Sequence, residues 1–382
     1  MWGKIRTTYL SLILLFALPV HALTWSEVTE NAKGQVVNFY LWSGNSDAIN
    51  YLKWTASTLK TRYQIDLRIH PVRNLDAVIH QLSTPLKAKA GSAKVDLLWL
   101  NGLSFAYLRN NAMLYGPFVE QLPNWSYVDQ SLPLEQDAAL PTLGLEAPWG
   151  MGQLVYIYDS KRLYNPPQNY YELLSYARAF PGRITYPSPK HFMGTLFLQA
   201  LLVELSNNHP ALQQPVNDVD FAALTAPLWR YLDDFHPYLW RQGKAFPTSA
   251  TAMTKMLAQN EIDLIPSFNP NMLYAAQSKG NLPLTTKVYA MDRGALTTIH
   301  YLAIPALAKA KEGALVTINF LLSPEAQSRK GMINVWGDLS ILRNESLTGA
   351  IKHVSTYHPI TMPEPSWATA LNQAWVKRYI PK

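Results

Sequence analysis

Cysteine is absent from the 382 residues of this chain, and charged residues make up only 15% of it. Without cysteine we expect neither a disulfide framework nor a lipid anchor on a cysteine behind a signal peptide. A chain of this length can bury a large core without disulfide bonds, and it is long enough for two domains.

Runs of four or more basic residues are absent as well. The 33 lysines and arginines outnumber the 26 acidic residues, but they are scattered along the chain. Nucleic-acid-binding proteins concentrate positive charge on one face or arm. We therefore expect an ordinary solvated surface and no nucleic-acid partner.

Catalytic and cofactor motifs are also missing. G-x-S-x-G, H-E-x-x-H, Walker A and C-x-x-C patterns do not occur, and no two of the nine histidines are spaced i, i+4. Gly150-Met151-Gly152 resembles the start of a dinucleotide fingerprint, but Val155 stands where that motif requires its third glycine. We expect no cofactor, no metal and no enzymatic activity. A periplasmic hydrolase or lyase acting on a small polar substrate is the alternative.

One long apolar run is present, and it lies near the amino terminus. Lys4 and Arg6 precede an apolar stretch over residues 10–20, and Val20-His21-Ala22 places small residues at the −3 and −1 positions. The run is about half the ~20 apolar residues that a membrane-spanning helix requires. The sequence predicts a signal peptide over residues 1–22, cleaved near Ala22, and a soluble mature chain in the periplasm. An uncleaved membrane anchor is the alternative.

The rest of the chain predicts an α/β fold with mixed, mostly parallel sheets flanked by helices. Apolar runs or alternation mark strands, and apolar residues spaced by three and four mark helix faces. The opening order strand–helix–strand–helix–strand is typical of parallel strands with helices on both faces. The predicted strands cover residues 36–41, 65–69, 95–100, 154–158, 183–186, 262–265 and 297–304. The predicted helices cover residues 49–63, 75–82, 170–179, 194–205, 250–258 and 309–322.

Small, polar or aromatic residues follow three of these apolar strands. In open α/β sheets, ligands bind beyond the carboxyl ends of the strands. These residues are therefore candidates for lining a cleft, and ordinary turn chemistry is the alternative at each position. The candidates are Trp42, Ser43, Gly44, Asn45, Asn101, Gly102 and Asn269.

Two further groups of residues point to opposite ligand charges. Trp42, Trp149 and Trp336 could offer aromatic faces to a cationic or planar solute, with Asp338 as the acid, although core packing is the alternative for each tryptophan. Gly194-Thr195 begins a predicted helix, and free N–H groups there would bind an anion. The solute is therefore expected to be thiamine-like, polyamine-like or phosphorylated.

Four segments, in order, resemble the type 1 extracellular solute-binding proteins, also called class II periplasmic binding proteins. They are residues 95–102, residues 154–159 with the following Pro166-Pro167, residues 257–263, and residues 303–305 with 314–327. Asn260 stands where the third segment usually has glycine. Within that family the chain most resembles the YnjB-like importer components, which implies a thiamine-type solute.

This resemblance implies a two-lobed protein with the ligand cleft between the lobes. It assigns residues 23–145 and 295–330 to lobe 1, and residues 146–294 and 331–382 to lobe 2. It also implies hinge closure around a small-molecule solute, followed by delivery to the inner-membrane permease of a bacterial ABC importer. We expect the protein to be a monomer.

A thermal-shift screen of vitamins, polyamines, sugar phosphates and amino acids tests these expectations. A ligand at 100 times its dissociation constant stabilises the folded state by about 2.7 kcal/mol, so a tight solute raises the melting temperature visibly. The absence of any shift across the panel would contradict a solute-binding role. Chemical conversion of the ligand during incubation would favour the enzyme alternative.

Overall fold

The computed structural model describes residues 23–82, 95–100, 102–137, 139–349 and 356–380. The predicted signal peptide and the candidate residue Asn101 lie outside these ranges. Across the described ranges, no helix is both long enough and apolar enough to span a membrane.

The strands and helices form two packed bodies. The strands are β1 (Val36–Trp42), β2 (Asp66–Val72), β3 (Leu97–Leu100), β4 (Gln136–Asp137), β5 (Leu140–Pro141), β6 (Glu146–Gln153), β7 (Val155–Asp159), β8 (Leu264–Ser267), β9 (Thr286–Tyr289), β10 (Ala295–Ala303) and β11 (Pro359–Thr361). The α-helices are α1 (Trp25–Ala32), α2 (Ser46–Tyr63), α3 (Leu75–Leu82), α4 (Gly102–Asn110), α5 (Tyr170–Ala179), α6 (Phe192–Leu205), α7 (Phe221–Phe235), α8 (Ala250–Ala258), α9 (Asn271–Ser278), α10 (Lys311–Leu321), α11 (Pro324–Gly331) and α12 (Ser366–Tyr379). Short 3₁₀ helices cover Val119–Gln121, Pro123–Tyr127, Pro210–Gln213, Val216–Asp218, His236–Tyr238, Trp240–Gly243 and Asn344–Ser346.

The larger sheet contains six strands and is mixed, as the sequence predicts. β1 lies between β2 and β3 and runs parallel to both. β10 pairs antiparallel with β3 and with β6, and parallel with β11. Phe39 and Leu41 of β1 are fully buried in the core beneath this sheet. We call this sheet and the elements packed on it lobe 1.

The smaller sheet has β7 at its centre, and we call the body around it lobe 2. β7 pairs antiparallel with both β8 and β9. The expectation of mostly parallel pairing therefore fails for this sheet. The predicted strand over residues 183–186 reduces to a single bridge between Ile184 and Leu264, because Pro187 follows directly and carries no N–H for a ladder.

The chain crosses between the lobes at Leu154, where β6 of the larger sheet passes into β7 of the smaller one. Met151 belongs to the core of lobe 1, and Leu154 belongs to the core of lobe 2. The return crossing lies between β9 and β10, and Leu296 of β10 packs in the core of lobe 2. The two crossing strands β6 and β10 pair with each other, so they form one connected ladder at the junction.

Two segments pack differently from the lobe division expected from the sequence. Residues 146–153 form β6, which pairs with β10 in the larger sheet. Leu339, Ile341 and Leu342 pack in the core of lobe 1, and Leu339 forms a bridge with Met151. The sequence division placed both segments in lobe 2. We propose that lobe 1 also includes residues 146–153 and 332–347.

A buried carboxylate ties two distant parts of lobe 1 together. Asp96 is 2% exposed; its Oδ2 accepts hydrogen bonds from the main-chain N–H of Asn38 at 3.0 Å and from the Asn38 amide at 2.9 Å. Its Oδ1 accepts from the N–H groups of Lys309 and Ala310 at 3.0 and 3.1 Å, immediately before α10. Asp96 therefore fixes the start of α10 against β1.

Replacing this carboxylate should weaken the fold. Asp96→Ala leaves buried N–H donors without an acceptor, and we expect a loss of about 3 kcal/mol in the free energy of unfolding. Asp234→Ala is the control, because that side chain is 65% exposed and should cost less than about 0.5 kcal/mol. Urea unfolding measures both, and equal midpoints for the two variants would contradict this role of Asp96.

Candidate solute-binding site

A cavity of about 350 Å³ lies between the two lobes. Lobe 1 contributes Gly102 at the start of α4 and the β4–β5 hairpin with Gln136 and Asp137. Lobe 2 contributes α6 and α12, and Thr297, Thr298 and Tyr301 of β10 also line the cavity. The cavity therefore touches both lobes and one of the strands that connects them.

The wall from lobe 2 is built on two helices held together by polar contacts. Thr195 of α6 donates from Oγ1 to the Pro189 carbonyl at 3.1 Å. The Asn372 amide of α12 donates to the same Oγ1 at 3.0 Å. Both side chains line the cavity, together with Gln199 one turn further along α6. This wall offers hydroxyl and amide groups that can donate to or accept from a solute.

An aromatic side chain covers the edge of that wall. Phe192 is 59% exposed, lines the cavity and packs edge-on against Phe268 with ring centroids 5.1 Å apart. The Phe268 ring lies directly on Gly152, where an added Cβ would come within 2.2 Å of it. Glycine at position 152 is therefore required for this close approach.

The wall from lobe 1 carries the charge. Asp137 is the one charged residue among the described residues that line the cavity. Glu146 at the start of β6 is 2% exposed, and neither of its carboxyl oxygens has a hydrogen-bond partner among the described residues. Burial raises the pKa of Glu146 well above its ordinary value, and the charge of Asp137 raises it further. Both acids therefore lie on the lobe 1 side of the site.

A second buried ionic group lies at the strand crossing. Lys330 is fully buried; its ammonium donates to Asp338 Oδ2 at 2.9 Å, to the Leu339 carbonyl at 3.1 Å and to the Trp149 carbonyl. Burial alone would raise the pKa of Asp338, but the Lys330 charge and the nearby His300 hold it below its usual value. This ion pair is therefore satisfied within the protein.

Two tryptophans flank this ion pair, and a third packs against both of them. The Trp149 ring centroid lies 4.9 Å from that of Trp99 and 5.4 Å from that of Trp336. The Lys330 ammonium lies 5.5 and 5.7 Å from the centroids of Trp149 and Trp336. Gly150 sits beneath the ion pair, since an added Cβ would approach Asp338 Oδ2 to 2.2 Å. Gly150 and Gly152 thus serve close packing on β6 and not dinucleotide binding.

Two of the residues predicted from the sequence line the cavity. Gly102 does so at the end of β3, and Thr195 does so in the first turn of α6. Trp42 is 57% exposed at the carboxyl end of β1. Because β1 and β3 are parallel, Trp42 lies at the same edge of the sheet as Gly102.

Residues beside Trp42 have local structural roles. Ser43 donates its N–H to the Val72 carbonyl at 2.9 Å. Gly44 lies beneath the Trp42 ring, and the Asn45 side chain caps α2 by accepting from the N–H groups of Asp47 and Ala48.

The remaining predicted residues take part in packing or internal hydrogen bonds. Trp149 is fully buried, so the expectation that it forms a wall of the cleft is not met in this structure. Trp336 packs on it, and Asp338 is paired with Lys330. The Asn269 amide donates to the Gly337 carbonyl at 2.7 Å.

The expected anion site at the start of α6 is not formed. The N–H groups of Gly194 and Thr195 both donate to the His191 carbonyl, at 2.9 and 3.2 Å. Gly194 packs against the Pro187 and Ser188 carbonyls, where an added Cβ would come within 2.3–2.4 Å. These two donors are therefore already used inside the first helical turn.

Sequence reasoning missed Asp137, Gln199, Asn372 and Glu146. Asp137 and Glu146 fall in the turn-rich stretch over residues 117–148, where no periodicity marks a strand. Asn372 lies on α12, 177 residues from its partner Thr195. No local pattern brings such positions together.

The fold and site belong to a known class of protein. The family model for bacterial extracellular solute-binding proteins matches residues 28–353, so the chain is a member of that family. It is a solute-binding component of an ABC transporter and not an enzyme. It is 40% identical over 379 residues to protein YnjB of Escherichia coli K12, covering 97% of each chain.

Solved structures support the same fold. The spermidine/putrescine ABC transporter substrate-binding protein PotD of Streptococcus pneumoniae matches with a TM-score of 0.66 at 13% identity, over 90% of this chain and 98% of that one. A periplasmic thiamin binding protein matches with a TM-score of 0.59 at 14% identity, over 90% of this chain and 95% of that one. At these identities the likeness shows the two-lobed periplasmic binding protein fold.

Removing the buried cation at the strand crossing should destabilise the protein strongly. Lys330→Met leaves Asp338 buried without its partner, and we expect a loss of about 3–5 kcal/mol in the free energy of unfolding. Lys33→Met is the matched control, since Lys33 pairs with Glu30 while 41% exposed and should cost less than about 1 kcal/mol. Chemical denaturation measures both.

A second variant separates charge from packing. Lys330→Met combined with Asp338→Asn removes the lone buried charge, so we expect part of the lost stability to return. A double variant no more stable than Lys330→Met would show that the ion pair is not the source of the loss.

Proposed function

We propose that this chain captures a small solute bearing a positive charge in the cavity between its lobes and delivers it to the inner-membrane permease of an ABC importer. The observation that carries the proposal is the charge of the cavity. Asp137 supplies a carboxylate, and the described lining residues include no lysine, arginine or histidine. A carboxylate in a partly desolvated cleft favours a cation and opposes an anion.

The size and chemistry of the cavity suit a small organic molecule. A volume of about 350 Å³ lies within the ~300–1,000 Å³ that small-molecule sites commonly occupy. Apolar groups of Phe192, Met362 and Pro365 face the same space as the amides of Gln199 and Asn372. An amphipathic cation with hydrogen-bonding groups would use both kinds of surface.

Two of the proteins that share this fold are named for solutes of this class. One protein of this fold is named for spermidine and putrescine and another for thiamin, and all three of these solutes are cations. Thiamine-like and polyamine-like solutes are therefore the first candidates. A phosphorylated solute is less well supported, since the two N–H groups at the start of α6 are used internally.

Capture would proceed by closure of the lobes. The cavity wall comes from both lobes, so a solute that contacts both walls binds the closed arrangement better than the open one. That differential affinity shifts the population toward the closed form, which the permease then receives. The family is extracellular or periplasmic, and the predicted signal peptide would place the mature chain in the periplasm.

Removing the carboxylate should weaken cation binding. Asp137→Asn keeps the shape of the side chain but removes its charge, so we expect at least a roughly tenfold rise in the dissociation constant for thiamine or spermidine. Asp218→Asn, on an exposed 3₁₀ helix, should leave affinity unchanged. Isothermal titration calorimetry measures both variants.

Binding of anionic solutes in place of cations would contradict the proposal. A wild-type protein that binds sugar phosphates but neither thiamine, spermidine nor putrescine is incompatible with a cation site. Equal affinities for Asp137→Asn and wild type would remove Asp137 from the site.

A further inference from the structure

Glu146 is a buried acid that no structural role explains. It is 2% exposed, and both carboxyl oxygens lack a hydrogen-bond partner among the described residues. A buried carboxylate without a partner is costly, so such a group keeps its proton at pH values where an exposed glutamate has lost it. An orphaned buried polar group requires an explanation, and a ligand is one.

Strand geometry places Glu146 beside a residue that lines the cavity. In the antiparallel pair of β6 and β10, Glu146 lies opposite Ala303, and cross-strand partners project to the same face of a sheet. Tyr301 lies two residues from Ala303, so its side chain shares that face. Tyr301 lines the cavity. Glu146 is therefore one position beyond a lining residue on the same surface.

Charge links the two acids on this side of the site. Asp137 lines the cavity, and its charge raises the pKa of Glu146, in addition to the larger effect of burial. Burial raises the pKa of Tyr301 well above its ordinary value, and Glu146 and Asp137 raise it further. Asp137, Glu146 and Tyr301 therefore lie close enough for their charges to act on one another.

On the basis of the cationic solute proposed above, we propose that Glu146 exchanges a proton when the solute binds. It holds the proton while the cavity is empty and releases it when a cation binds beside Asp137. The O–H bond of the Glu146 carboxyl breaks, the electron pair stays on the carboxylate, and the proton passes to solvent buffer. One positive charge enters the site as one leaves, so its net charge is conserved.

The physical reason is the change in potential at Glu146. A cation beside Asp137 offsets the negative charge that helps to keep Glu146 protonated, and it adds attraction for a second carboxylate. The pKa of Glu146 therefore falls on binding. By linkage, solute affinity must then rise with pH between the pKa of the loaded state and that of the empty state.

The titratable groups around Glu146 determine which control variants are needed. Asp137 faces it from the β4–β5 hairpin, and Tyr301 faces it from β10. His300, the neighbour of Tyr301, lies against Trp99, with its Nε2 3.6 Å from Asp338 Oδ1. His300→Gln therefore tests whether a pH effect comes from that histidine.

Calorimetry of the full mature chain with thiamine counts the protons. The thiazolium charge of thiamine does not titrate and its aminopyrimidine ring is deprotonated at neutral pH, so titrations at one neutral or alkaline pH in buffers of different ionisation enthalpy report protons from the protein. We expect wild type to release about 0.5–1 proton per bound thiamine at the pH of maximum linkage, and Glu146→Gln to release almost none. Glu204→Gln is the matched control, since Glu204 is a partly buried acid of lobe 2 whose pKa burial also raises. It should release protons as wild type does, as should His300→Gln.

The outcomes separate this inference from the proposed function. Binding of thiamine or spermidine without proton release, or unchanged release in Glu146→Gln, would overturn the role of Glu146 and leave the cation site standing. Failure of both cations to bind wild type would overturn the cation site and this inference together.

A measurement without solute tests the empty state. A raised pKa in the folded protein means that stability is lost as pH rises from the ordinary glutamate value of about 4.3 through the raised value. Glu146→Gln mimics the protonated acid and escapes this loss. We therefore expect equal melting temperatures for the two proteins at acidic pH and a higher one for Glu146→Gln at alkaline pH. A constant difference across pH would show that Glu146 does not hold its proton in the empty protein.

Discussion

The pairing of β6 with β10 is the constraint on which the rest of the molecule depends. Both strands belong to the larger sheet, and both continue into the smaller lobe, so one ladder joins the two halves of the protein. The face of the ladder at Tyr301 borders the cavity, while Gly150 lies beneath the buried Lys330–Asp338 pair. The hydrogen bonds between β6 and β10 therefore position both the candidate solute site and the Lys330–Asp338 ion pair.

Much of the fold was predictable because it follows local patterns. α5 and α8 occupy the residues that their spacing predicts, and β1, β3 and β10 differ from prediction by one or two residues at their ends. β6 escaped prediction although it is fully buried. Pro148, Gly150 and Gly152 disfavour a strand locally, and tertiary contacts override that preference because a ring and an ion pair need room on the strand.

The site was predictable only where it follows from topology. Gly102 lines the cavity, and it was named because ligands lie beyond strand ends; Thr195 also lines the cavity, but it was named for an anion site at the start of α6 that is not formed. Asp137 lies on a two-residue strand of a short hairpin, and nothing in its neighbours marks it as a site residue. Trp149 and Asp338 were named as cleft residues but are buried in the core. Residue type alone does not show whether a tryptophan or an aspartate lies in a cleft or in a core.

The three indole rings at the strand crossing have an optical consequence. Trp99, Trp149 and Trp336 lie within 6 Å of one another by ring centroid, and two of them flank a buried ammonium group. Indole emission shifts with the local electric field and with contact to water. A rotation of one lobe that disturbs the crossing would therefore shift the emission of these three indole rings, so intrinsic fluorescence would report such a motion without an attached dye.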